Sequence, residues 1–214
     1  MEEELIELGS PTASKRVILL HGLTGTASVI RPVAEYLCKR LGEDYSFLLP
    51  TAPIIKVKQF NGEPAHAWFD VKSSDFRREA DIDGIFESSD RIASLVRNEI
   101  SQGVSPKDIY LGGFSQGGVI ALTTALLEPF AVAGVFAFSS YLPLEDQLTS
   151  RMTDVSKDVP IFQAVSLKDE FISQEMSDKA SAFLRNRGNP VLIQNYDMKH
   201  EIRNRELDLS LIHI

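Results

Sequence analysis

A chain of 214 residues, 43% apolar and 24% charged, is long enough to bury a full core without covalent staples and too apolar to stay disordered. Its formal charge of -8, with Lys and Arg scattered along the chain, excludes the basic footprint of a nucleic-acid binder and makes an anionic membrane a poor partner. Cys38 is the only cysteine, so there is neither a disulfide framework nor a cysteine-based metal site.

The N-terminus, MEEELIELG, is acidic where a secretory signal needs positive charge, so a reducing cytoplasm is the expected compartment. Within it, LIEL is expected as an antiparallel edge strand. Short apolar, β-branched runs follow at Lys15 to Leu20, Tyr45 to Leu49, Asp108 to Gly112, Val132 to Phe138, Val159 to Val165 and Pro190 to Tyr196. Each is bounded by Gly, Pro, Ser or charged residues, as buried strands are.

Helical patterns lie between them: Pro32 to Leu41 behind an early proline, Ile82 to Ile100, Gln116 to Leu127, and Ser173 to Arg185. Val119 to Phe138 approaches membrane-span length, but Glu128 and Pro129 interrupt it, so it reads as a buried helix and then a buried strand, not a transmembrane segment. The alternation predicts one α/β domain over residues 1–214, a mostly parallel sheet with helices on both faces. Ligands of such sheets gather beyond the carboxyl ends of the strands.

One of those ends carries Gly113-Phe114-Ser115-Gln116-Gly117, a G-x-S-x-G sequence with an apolar strand before it and an apolar helix after it. The flanking glycines let backbone approach backbone, so a serine can occupy a strained turn with its hydroxyl exposed. Ser115 is therefore the expected nucleophile. A serine needs a base, and in this strand-turn-helix arrangement the acid and then the histidine follow the serine in the chain.

Of the four histidines, His21 and His66 precede Ser115, and His213 is the penultimate residue. His200, just past the run PVLIQNY, is the expected base. Asp169, just past VPIFQAV, is the expected acid, with Asp146 and Asp197 as weaker alternatives and Glu170 as the nearest substitute. The backbone amide of Gln116 at the helix start and that of Leu23 in the loop HGLTGT are the expected oxyanion donors. His21 is expected to fix the geometry of that loop.

Ile54 to Ala67 reads as a long, turn-rich connection on the functional side, suited to building a pocket. Trp68, the only tryptophan, reads first as a core anchor and second as a substrate contact. Asp70 reads as a structural hydrogen-bonder.

The segments HGLTGT, LPTAP (Leu49 to Pro53), AWFD (Ala67 to Asp70), IYLGGFSQGG, AFSSYLP (Ala137 to Pro143) and MKHEI together resemble the phospholipase/carboxylesterase family of small α/β-hydrolases, which includes bacterial carboxylesterases and acyl-protein thioesterases. The resemblance covers nearly the whole chain, in the family's order. It implies an α/β-hydrolase fold and hydrolysis of carboxylic esters through an acyl-serine, with no metal or organic cofactor. It also implies an acyl groove bordered by the segment from Ile54 to Ala67.

The implied partner is a small or lipid-like acyl ester, or an acylated protein. Acyl-protein thioesterase and lysophospholipase are alternatives with the same triad. A non-catalytic binding protein and a serine peptidase on the same fold are rivals that the intact Ser, Asp and His, and the absence of any segment resembling a peptidase propeller or cap domain, respectively disfavour. Four positions depart from the family pattern: Thr24 and Ser166 stand at glycines, Glu170 at a proline, and Lys199 at the glycine that often precedes the histidine.

Overall fold

The computed structural model of the protein describes residues 4–72, 80–144 and 146–210, the side chains of 209 and 210 excepted. His213 lies outside these. In chain order the strands are β1 (Leu5–Gly9), β2 (Lys15–Leu20), β3 (Tyr45–Pro50), β4 (Ile54–Val57), β5 (Glu63–His66), β6 (Ile109–Phe114), β7 (Gly134–Phe138), β8 (Ile161–Ser166) and β9 (Val191–Tyr196). The α-helices are α1 (Ala27–Leu41), α2 (Ile82–Ser101), α3 (Gln116–Leu127), α4 (Asp146–Thr149), α5 (Gln174–Arg187) and α6 (Asn204–Ser210).

Seven strands form one sheet in the order β1-β3-β2-β6-β7-β8-β9. Only β1 runs antiparallel to its neighbour, pairing Leu5 with Pro50 and Gly9 with Ser46. The edge strand and the parallel sheet expected from sequence are both present. Successive side chains of a strand face opposite sides, and in β2 this divides the core. Ile18 and Leu20 pack with residues of α2, α3 and α5 on one face, while Val17 and Leu19 pack with Ala34 and Leu37 of α1 and Leu207 of α6 on the other. Such two-sided burial is why these strands are continuously apolar.

Two elements differ from expectation. Helix α1 begins at Ala27, five residues before Pro32, which sits inside it. Pro32 removes a backbone donor to the carbonyl of Ser28, but both residues are on the exposed face, where that carbonyl is open to solvent. The buried Ala27 and Ile30 supply the packing that extends the helix past the proline. The connection after β3 also has structure of its own: β4 and β5 form a separate antiparallel pair, Ile54 opposite His66 and Val57 opposite Glu63. Its turn uses Asn61 and Gly62, both at positive φ, which made the segment read as irregular.

The apolar stretch Val119 to Phe138 is divided into α3 and β7. No helix among the described residues is long and apolar enough to cross a membrane.

Candidate active site

Strand β6 runs two residues further than its apolar pattern indicated, directly into Ser115. Ser115 has φ 54° and ψ -118°, a conformation that costs a non-glycine residue about 1–3 kcal/mol and persists only where the surroundings over-determine it. They do so here. The Ser115 amide donates to the Phe138 carbonyl at 2.9 Å, and the Ser140 hydroxyl donates to the Ser115 carbonyl at 2.8 Å.

The glycines around Ser115 are sites of close backbone approach. A Cβ on Gly113 would lie 2.2 Å from the carbonyl carbon of Gly117, and one on Gly117 would lie 2.5 Å from the carbonyl oxygens of both Leu20 and His21. Ser115 stands at the N-terminus of α3, where first-turn amides lack intrahelical partners.

Asp169 and His200, expected as acid and base from their places after β8 and β9, are in contact: His200 Nδ1 is 2.7 Å from Asp169 Oδ2. The carboxylate is almost fully buried, its side chain 1% exposed. Its other oxygen accepts the amides of Phe171 at 2.8 Å and Ile172 at 2.9 Å. An acceptor at Nδ1 places the imidazole proton there and leaves Nε2 as the basic nitrogen. Ser115 and His200 both line one cavity of about 270 Å³. Its walls are mainly apolar, with Leu23, Phe60, Phe69, Val71, Phe114 and Phe171 among them.

The loop after β2 passes beside Ser115, where a Cβ on Gly22 would lie 3.4 Å from the serine Cβ. His21 is fully buried; its Nδ1 lies 2.7 Å from the Gly22 carbonyl and its Nε2 accepts the Ala52 amide at 2.9 Å. Burial pulls its pKa down to about 4, against the opposing pull of the Gly22 carbonyl and assisted by His66. A neutral ring bonded at both nitrogens is a structural group that fixes the loop. Within the loop the Thr24 amide donates to the His66 carbonyl at 2.8 Å and the Gly25 amide to the Gly22 carbonyl at 3.0 Å. Among the described residues the Leu23 amide makes no such bond, and Leu23 and Gln116 both line the cavity.

The side chain of Gln116 is a tie. Its Oε1 accepts the Trp68 amide at 2.9 Å and its Nε2 donates to the Phe69 carbonyl at 2.7 Å. Trp68 follows its first reading, a core anchor, and not its second, a substrate contact. It is 2% exposed, donates its indole NH to the His21 carbonyl at 2.8 Å, and is absent from the cavity wall, where its neighbour Phe69 stands instead. With its donor satisfied and its ring buried, the indole anchors the core. Asp70 accepts the Lys58 amide at 2.8 Å.

No motif in the sequence marks the aromatic wall. The only signal was adjacency, Phe114 beside the serine and Phe171 two residues past the acid.

The four positions that depart from the family pattern have distinct local settings. Thr24 carries the positive φ, 64°, that a glycine there would adopt freely. The Ser166 hydroxyl is 2.7 Å from that of Ser139, itself at φ 45°. Glu170 and Lys199 pair with each other at 3.3 Å across the acid and histidine loops, and both are exposed.

The sequence pattern of the phospholipase/carboxylesterase family matches residues 1–214. The chain belongs to this family. Among curated phospholipase/carboxylesterase relatives, it is 35% identical over 186 residues to acyl-protein thioesterase 1 of Mycosarcoma maydis, covering 82% of this chain and 77% of that one. It is 27% identical over 194 residues to carboxylesterase SOBER1 of Arabidopsis thaliana, covering 89% and 85%. The crystal structure of the latter superposes with a TM-score of 0.88 at 25% identity, over 93% of this chain and 96% of that one. The protein is thus a phospholipase/carboxylesterase-family hydrolase with the α/β-hydrolase fold, acting on ester or thioester bonds.

Proposed function

We propose that the protein is a carboxylesterase that works through an acyl-enzyme on Ser115, with His200 as base and Asp169 as its orienting acid. The observation that carries this reading is the buried Asp169–His200 pair at 2.7 Å opening on the same cavity as Ser115. Neutral His200 takes the proton of the Ser115 hydroxyl as its oxygen attacks the acyl carbonyl. The carbonyl electrons move to oxygen, where the Gln116 and Leu23 amides hold the anion. Collapse breaks the bond to the leaving oxygen or sulfur, which takes the proton from His200. A water activated by the same imidazole then attacks the acyl-serine, giving the acid and restoring the hydroxyl.

Asp169 keeps the imidazole in the tautomer this sequence requires and balances its transient positive charge. The Phe171 and Ile172 amides hold the carboxylate in place while it does so. Because the base must be neutral, the rate falls toward acid pH.

The largely apolar walls of the cavity suit the acyl part of such a substrate. A relative named acyl-protein thioesterase 1 supports a second reading, removal of acyl groups from protein thiols by the same residues. A panel of p-nitrophenyl esters from acetate to palmitate, run beside an S-acylated cysteine peptide, tests both. Hydrolysis of the shorter esters above the peptide supports the carboxylesterase, the reverse order supports the thioesterase, and hydrolysis of neither contradicts the proposal.

A further inference from the structure

The imidazole of His200 lies between two aromatic rings in different settings. Phe114 is tilted at 39° with its centroid 4.6 Å away, half-buried beside Ser115. Phe171 meets His200 edge-on at 66° and 5.2 Å, yet is 49% exposed. Both line the cavity. The amide of Phe171 is also one of the two that hold Asp169, so one residue fixes the acid through its backbone and presents a ring beside the base.

In the reaction proposed above, the proton carried by His200 is delivered to the departing oxygen or sulfur. That atom must therefore come within hydrogen-bond reach of the imidazole, and whatever is attached to it passes along the walls that flank His200. Of those two walls, Phe171 is the more exposed. Leu23, from the loop after β2, and Phe60 and Phe69, from around the β4–β5 pair, line the same cavity, but the rings that pack against His200 are those of Phe114 and Phe171. We propose that Phe171 is the specificity-determining wall for the leaving group, packing against an apolar or aromatic alcohol or thiol as it departs, and not against the acyl chain. This inference rests on the acyl-enzyme reading.

The test is kcat/KM, which reports acylation, the step in which the leaving group departs. Three butyrate esters differ only in that group: 2-naphthyl, p-nitrophenyl and methyl. Phe171→Ala is expected to lose about three- to tenfold on the two aromatic esters, the scale of one aromatic contact, and much less on the methyl ester. Phe171→Tyr restores the aromatic preference. Phe171→Leu, which keeps apolar bulk at the mouth, shifts in the same direction as Ala.

The ratio of rates among acetyl, butyryl and octanoyl p-nitrophenyl esters is expected to stay at the wild-type value. An equal loss on all three butyrates, or a changed chain-length ratio with leaving-group preference unaltered, would overturn the assignment. Labelling of Phe171→Ala by a fluorophosphonate shows that Ser115 and His200 are intact. Wild-type protein that fails to label would instead contradict the acyl-enzyme reading and this inference with it.

Discussion

Asp169 and Phe171 are joined twice over: the carboxylate accepts the Phe171 amide at 2.8 Å, and the same carboxylate's other oxygen lies 2.7 Å from His200, the ring that Phe171 packs against. A buried acid with both oxygens committed has one orientation, and it imposes one tautomer on the histidine. Asp169→Asn keeps the shape but presents a donor to Nδ1. The expected result is a loss of about 10,000-fold in kcat with an unchanged melting profile, by analogy with the same change in other serine triads. A loss below tenfold would mean that Asp169 does not set the tautomer.

Gln116→Ala leaves the proposed oxyanion amide in place but removes the tie to Trp68 and Phe69. Two buried backbone groups lose their partners, so stability should fall by about 2–4 kcal/mol. Chemical denaturation measures that fall, and residual kcat should exceed that of Ser115→Ala. An unchanged midpoint would show that water replaces the side chain there.

Gly113 and Gly134 lie on adjacent parallel strands, yet a Cβ on Gly113 would lie 2.2 Å from the Gly117 carbonyl carbon, while one on Gly134 would meet nothing closer than 3.5 Å. Gly113→Ala is expected to be destabilised by about 3 kcal/mol or more and to lose activity, and Gly134→Ala to stay within about 1 kcal/mol of wild type. Equal thermal shifts in the two variants would argue against the close packing of the serine turn.

Glu206 in α6 is fully buried; its Oε1 accepts the Arg203 amide at 2.9 Å. Among the described residues its Oε2, like the Tyr196 hydroxyl, has no hydrogen-bond partner. Burial pushes the Glu206 carboxyl up to about 8 from its ordinary 4.5. Between those values the folded protein keeps a proton that the unfolded chain releases, so this group lowers stability as pH rises through that window, by on the order of a few kcal/mol across it. Glu206→Gln should remove that decline and be more stable than wild type at pH 8. Urea melts at pH 5 and pH 8 with identical pH slopes for the two proteins would refute the assignment.

Much of the fold was legible because two-sided burial makes the inner parallel strands largely apolar runs, as in residues 17–20 of β2 and Gly134–Phe138. The positions of Ser115, Asp169 and His200 were legible for a related reason: each lies just past a strand, where this fold brings distant loops together. The β4–β5 pair was hidden because Glu63, Pro64 and Lys56 give it neither an apolar run nor clean alternation. Helix α1 was cut short at Pro32 because the sequence does not show which face meets water. The cavity role of Phe171 depends on which way a side chain turns within a loop, and no periodicity records that.

Intact-protein mass spectrometry after fluorophosphonate treatment tests most directly whether Ser115 is the residue that forms the acyl-enzyme. The expected result is a single phosphonyl adduct on wild-type protein, located to the peptide containing Ser115. The adduct should be absent from Ser115→Ala and form far more slowly on His200→Ala. An adduct retained in folded Ser115→Ala, or none on active wild-type protein, would contradict the account.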